Sequence, residues 1–220
     1  QKVDLFTVGK DREYDLYLAE YDCQASIAHA KMLGKIGILS NEEVNQLTSK
    51  LNEIKIQAEN KSLTIEDEFE DIHSKIEHIL IKNLGDLGKK IHTARSRNDQ
   101  VLVALHLYCK NELNIIKDKI IELFEVLTSL AEKHEGHLLP GYTHFQVAMP
   151  SSFGLWFSAY AESLIDDLYF WKSAYQIADQ NPLGSAAGFG SAFPIDREFT
   201  TNELKFSNLK VNSVAAQMSR

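Results

Sequence analysis

The run His92-Thr93-Ala94-Arg95-Ser96-Arg97-Asn98-Asp99-Gln100 concentrates reactive and binding side chains. Between His92 and Asp99 it holds a histidine, two arginines, two hydroxyls, an amide and a carboxylate. Arg95 and Arg97 can fork onto carboxylates, and Ser96, Asn98 and Gln100 add neutral hydrogen bonds. Val101, Leu102, Leu105 and Tyr108 then open a long amphipathic pattern. The run therefore sits at a helix N-terminus, where free N–H groups and the helix dipole favour anions. Taken alone, the segment fits a solvated loop with an N-cap as well as an anion site.

Two further polar segments interrupt the chain. Leu139-Pro140-Gly141-Tyr142-Thr143-His144-Phe145-Gln146 has a Pro-Gly turn signal and no helical period. His144 can act as general acid or base near neutral pH, and Thr143 can orient a carboxylate. Asn181-Pro182-Leu183-Gly184-Ser185-Ala186-Ala187-Gly188-Phe189-Gly190-Ser191 is rich in small residues, which permit close backbone approach to a ligand or another chain. It lacks the lysine of a phosphate loop. His73 and Glu77 share a helix face, as a surface ion pair or as part of a polar cluster supporting a site. His134 and His137 have no third ligand in view, so complementing a helix C-terminus accounts for them better than a metal does.

The elements that must position these segments read as helices. Leu16, Ala19, Cys23, Ile27, Ala30 and Leu33 form a stripe from about Asp11 to Gly34, after an extended arm over 1–10. Ser40-Asn41-Glu42-Glu43 is a capping box opening a helix to about Asn60. A third helix ends near Asn83. The helix from about Asn98 to His134 would be roughly 55 Å long, a length suited to a bundle. Ser151-Ser152 caps another, burying Leu155, Ala159, Leu164 and Leu168 and running to about Asp179. Pro194–Glu203 suggests a short capped helix, and a last helical pattern runs from Val211 toward Arg220. Only 4 prolines and 11 glycines occur in 220 residues, consistent with an all-α chain.

The net charge of −8 argues against a nucleic-acid binder, so any anion site must be a local basic pocket. No apolar run is long enough to span a bilayer, and the start lacks a signal-peptide pattern. Cys23 and Cys109, outside any metal-type spacing, suit a reducing compartment and read as small buried side chains. These features point to a cytoplasmic protein. The missing initiator Met leads to the expectation of a trimmed N-terminus, and the uncapped last pattern to that of the N-terminal part of a longer protein.

The three polar segments resemble those of the fumarase/aspartase superfamily and, within it, the argininosuccinate lyases. His92–Gln100 looks like that family's most diagnostic segment, with Ala94 where Gly is common. Pro140–Gln146 resembles the second segment, and Asn181–Gly188 with Phe193-Pro194-Ile195-Asp196-Arg197 the one after it. Glu70-Asp71-Ile72-His73 and Tyr14-Asp15 add to the likeness, which covers nearly the whole chain. The resemblance implies β-elimination of argininosuccinate to arginine and fumarate, the last step of arginine biosynthesis, without metal or organic cofactor. It implies that His144 belongs to the acid–base machinery, that Arg97, Asn98 and Thr143 hold the succinate carboxylates, and that Asp15 faces the cationic end. Ser96 and His73 match supporting positions, and Thr93 and Gln146 lie within the matched segments. Asp11 stands where the family often has a substrate-contacting Ser. The family's Gly-Ser-Ser-x-x-Pro-x-Lys loop with its catalytic Ser does not occur here, so the chain alone is expected to have little activity. The resemblance further implies a small N-terminal helical domain (1–95), the first part of a long-helix bundle (96–220), and a homotetramer with active sites shared between subunits. A catalytically silent crystallin-like paralogue, or a sister lyase acting on adenylosuccinate, fumarate or aspartate, is the alternative.

Overall fold

The computed structural model describes residues 6 and 8–219. It is mostly helical, with a few short strands, and divides into two compact units: Gln1–Tyr108 with Asp179–Arg220, and Cys109–Ala178. This cut differs from the 95/96 boundary expected above. The longest helix belongs to both units, and the chain after 178 returns to the first.

In the first unit, α1 (Asp11–Tyr14) leads through a 3-10 turn (Asp15–Leu18) into α2 (Ala19–Lys35). The continuous helix expected from Asp11 is thus broken. The break lies where Arg12 donates to the Phe69 and Asp67 carbonyls and Asp15 accepts from the Ile72 N–H, which hold the entry to a distant segment. Of the expected arm over 1–10, residues 1–5 and 7 lie outside the described residues, and 8–10 form a turn. Ser40 caps α3 (Asn41–Glu59) with both hydrogen bonds of the capping box. Asp71 caps α4 (Ile72–Leu84) by accepting from the Ser74 N–H at 2.7 Å. The one-turn α5 (Asp86–Lys90) then lies so close to α4 that a Cβ on Gly88 would stand 2.5 Å from the Leu80 carbonyl carbon.

Two cores flank α2. Cys23, Ala30 and Leu33 meet Leu47, Leu51 and Ile54 of α3, Ile72, Ile76 and Leu80 of α4, and Ile91. On its other side, Ala25 and Ala28 meet Val103 and Leu107 of α6 (Arg97–Lys133) together with Leu183, Leu204 and Phe206. α6 has 37 residues, as its apolar period predicts. Asp196 caps α8 (Arg197–Glu203), and Asn212 caps α9 (Ser213–Gln217). A parallel pairing of β3 (Gln180–Asn181) with β4 (Asn208–Leu209) ties this tail together. The last helix therefore closes at Met218 instead of running on toward Arg220, which lies outside the described residues.

In the second unit, the later part of α6 packs antiparallel to α7 (Phe153–Ala178). Trp171 Nε1 donates to the Leu113 carbonyl at 2.6 Å, and Gly154 abuts Ala131 and Glu135. The stretch expected to be irregular is an antiparallel hairpin of β1 (Leu138–Thr143) and β2 (Gln146–Ser152), paired from Leu138–Ser152 to Thr143–Gln146. Ser152 Oγ caps α7 by accepting from the Leu155 N–H. Leu155 and Ala159, expected to be buried, are exposed, as are Ile115, Ile116, Leu123, Trp156, Tyr160 and Phe170. In the second unit, taken by itself, two helices and a ribbon offer too few neighbours to cover these faces. Cys23 is buried as expected, whereas Cys109 is exposed.

Candidate active site

Seven of the ten candidate residues lie in the first unit, and three of them, Ser96, Arg97 and Asn98, form the start of α6. Ser96 is its N-cap: the Oγ accepts from the Asn98 N–H at 3.2 Å and also from Asn98 Nδ2 at 3.2 Å. Asp99 answers by accepting from the Ser96 N–H at 2.9 Å, as the N3 carboxylate of a capping box does. The first turn thus holds Ser96, Arg97 and Asn98 half-buried at the positive end of a long helix dipole.

Arg97 is not a bare cation. Its guanidinium lies 3.2 Å from Asp71 Oδ1 and 3.7 Å from Glu77 Oε2, beside Ser74 Oγ. Glu77 thus meets Arg97, while His73, one turn earlier on α4, turns inward and is buried. The surface-pair reading of His73 and Glu77 is corrected accordingly. Asp15 accepts from the Ile72 N–H at 3.3 Å beside the same helix start. Burial pushes the Asp15 carboxyl up, and the Asp71 and Asp11 carboxylates add to the effect against the Ile72 hydrogen bond and His73. Asp11 is exposed.

Beneath this wall runs a buried polar ladder that the sequence reading missed. Asp22, Ser26 and His29 stand at i, i+4 and i+7 on α2, sharing one face. Gln100 Nε2 donates to both Asp22 oxygens, at 2.9 and 3.1 Å. His73 Nδ1 lies 3.3 Å from Asp22 Oδ2, outside hydrogen-bond alignment. Burial by itself would raise the Asp22 carboxyl, but His73, Arg95 and Gln100 outweigh it and hold the group below its ordinary range. Arg95 Nη1 donates to Ser26 Oγ at 2.8 Å, fully inside the protein. His29 Nε2 contacts the Thr93 carbonyl at 2.9 Å. A carbonyl only accepts, so this nitrogen carries the proton, and burial and Arg95 lower the His29 pKa to about 3. The signal was present as polar residues at helical spacing among alanines. The apolar stripe one residue away on the same helix concealed it.

The third polar segment joins the first. Asp99 Oδ2 accepts from the Gly184 and Ala186 N–H groups at 2.9 and 3.0 Å. Asn181 accepts from the Leu183 N–H and donates to Thr200 and Thr201, and Arg197 donates to the carbonyls of Leu183, Lys210 and Val211.

The remaining candidates lie in the second unit. Thr143 and Gln146 face each other as the last pair of the hairpin, and His144 and Phe145 form its two-residue tip, all exposed. His144 and Phe145 have φ of 51° and 62°. A tight hairpin turn requires positive φ at both central positions, which Asn and Gly supply most easily. Each non-glycine residue held there costs about 1–2 kcal/mol, a strain characteristic of functional sites. Ala94 and Ala186 are also left-handed, so each of the three polar segments carries such a residue. Among the described residues, no group of three or more His, Cys, Asp and Glu could hold a metal ion, and no helix is long and apolar enough to cross a membrane.

A family described as lyase matches residues 6–220. The chain belongs to this lyase family. It is 54% identical over 219 residues to the argininosuccinate lyase of Parabacteroides distasonis, covering 100% of this chain and 49% of that protein. The argininosuccinate lyase of Thermotoga neapolitana is 45% identical over 220 residues, with coverages of 100% and 55%. The chain thus spans about half the length of the curated relatives it matches. Among solved structures, an EDDS lyase in complex with formate superposes with a TM-score of 0.81 at 28% identity, covering 92% of this chain and 39% of that one. The all-α architecture is that of the fumarase/aspartase lyases.

Proposed function

We propose that the protein containing this chain cleaves argininosuccinate to arginine and fumarate by β-elimination. The observation that carries this reading is the likeness of residues 6–220 to argininosuccinate lyases through all three polar segments, each with a left-handed non-glycine residue. The substrate has three carboxylates and a guanidinium-type group. Asn98, Ser96 and the positive N-terminal end of α6 suit the succinate carboxylates, joined by Arg97, whose charge Asp71 and Glu77 orient. In an active site shared between subunits, Thr143 and Gln146 would serve the same moiety, as the resemblance implies. Thr93 and His73 support the binding wall, and Asp15, with Asp11 nearby, suits the cationic end.

In the reaction a base removes the proton on the carbon beside a carboxylate, and charge builds on that carboxylate. Fixed donors stabilise it as it forms. The C–N bond then breaks, the double bond of fumarate forms, and an acid protonates the departing nitrogen. His144 is the acid–base residue on this chain, and a serine outside it completes the pair. No metal or organic cofactor takes part. The apolar residues exposed along α6 and α7 have the character of a bundle interior, which fits the homotetramer with shared active sites that the resemblance implies, and a cytoplasmic location belongs to the same reading. The domain division 1–95 and 96–220 belongs to the same reading.

The test is fumarate release, followed by ultraviolet absorbance, from argininosuccinate and adenylosuccinate by the full-length protein. Turnover of argininosuccinate alone is expected, with little or none by the 220-residue chain. His144→Asn should lower kcat by about 10²–10⁴-fold. A full-length protein inert toward argininosuccinate, or a His144→Asn variant with undiminished kcat, overturns the proposal.

A further inference from the structure

We propose that Asp99 is a positioning residue that locks the ligand-binding end of α6 to the small-residue segment 182–188, so that both meet the substrate as one surface. The proposal rests on the lyase reading above.

The Asp99 carboxylate is fully buried and divides its two oxygens between distant parts of the chain. Oδ1 accepts from the Ser96 N–H at 2.9 Å, the ordinary work of a capping-box carboxylate. Oδ2 accepts from the Gly184 N–H at 2.9 Å and the Ala186 N–H at 3.0 Å, which capping does not require. The φ of +87° at Gly184 helps turn the chain so that these two N–H groups meet at one point, an anion-binding arrangement whose anion is a side chain of the protein itself.

Segment 182–188 has further anchors besides Asp99. Asn181 accepts from the Leu183 N–H, Arg197 Nε donates to the Leu183 carbonyl, and Gln217 Nε2 donates to Ser185 Oγ and the Ala186 carbonyl. The hydrogen bonds of Asp99 join this segment to the turn carrying Ser96 and Asn98. A neutral amide in its place could not accept from all three N–H groups and would turn a donor toward them. The segment and α6 would then be held by separate anchors and drift in register.

Displacements of about 1 Å in a positioning element lower rates by as much as about 10²-fold. In the full-length protein, Asp99→Asn is expected to lower kcat/KM for argininosuccinate by about 10- to 100-fold, carried mainly by KM. The KM dominance follows because Ser96 and Asn98 hold the carboxylates before and during the reaction alike. Ser40→Ala is the matched control, since it removes a capping box in the same unit away from the polar segments. It should lower the melting temperature and leave KM unchanged. An Asp99→Asn enzyme that melts lower yet keeps KM and kcat/KM within twofold of wild type overturns the proposal.

Hydrogen exchange reads the lock without any reaction. Peptides over 96–100 and 182–188 should lose protection together in Asp99→Asn, and loss in one alone overturns the coupling. If Asp99→Asn does not fold, Gln217→Ala decides. Loosening the same segment from its other side should raise KM severalfold, and an unchanged KM overturns the proposal. A wild-type enzyme inert toward argininosuccinate refutes the lyase reading, while the exchange experiment still judges the lock.

Discussion

His29 offers a direct measure of how tightly the polar run is held from below. Its ring is buried on α2 and faces the Arg95 charge, so the native state keeps it neutral with a pKa of about 3, although its Nε2–H donates to the Thr93 carbonyl, which works the other way. In the unfolded chain a histidine titrates near 6.5. Between these values the unfolded state binds a proton that the native state refuses, so stability rises with pH across the window and falls on acidification. At pH 5 the penalty is set by the unfolded histidine's affinity for its proton. It amounts to about 2 kcal/mol relative to pH 7, and any native value below about 4 gives the same figure. His29→Gln keeps an N–H donor for Thr93 and removes the titration. Urea unfolding of both proteins at pH 7, 6 and 5 checks this. The wild type should lose about 0.7 kcal/mol more than the variant on going to pH 6 and about 2 kcal/mol more on going to pH 5. The variant is expected to start from a lower stability, because glutamine fills the site less well. Parallel pH profiles for the two proteins would refute a neutral buried His29 and with it this anchor on Thr93.

Ala94→Gly should stabilise the protein by about 0.5–1 kcal/mol, because relief of the left-handed strain at φ +60° exceeds the extra entropy that glycine loses on folding. A higher urea midpoint at unchanged slope would show it. Gly88→Ala should destabilise by about 1–3 kcal/mol, since the new methyl would lie 2.5–2.6 Å from backbone atoms of Leu80 and Ile81, which cannot rotate away. Thermal unfolding reads the loss, and an unchanged melting temperature would mean that α5 lifts freely off α4.

What the sequence by itself determined is local. The period of Val101, Leu105 and Leu113 places a long helix after the polar run, and Ser40–Glu43 and Asp196 announce helix starts that the structure repeats. These signals lie within a turn or two of backbone, so a few neighbouring residues suffice to carry them. The residues of the candidate site were legible as types, because polar side chains interrupting helical periods stand out. Their partners were not. Arg97 meets Asp71 across 26 positions, Gln100 meets Asp22 across 78, and Asp99 meets Gly184 across 85. The inward face of α2 was hidden because Asp22, Ser26 and His29 look like a solvated stripe until a second core closes over them. The hairpin was hidden because its tip uses His144 and Phe145 where a turn of that kind ordinarily shows Asn and Gly. Only the tertiary structure decided these points, since burial and long-range pairing assign a polar side chain to water or to a partner, and neither is written in its neighbours.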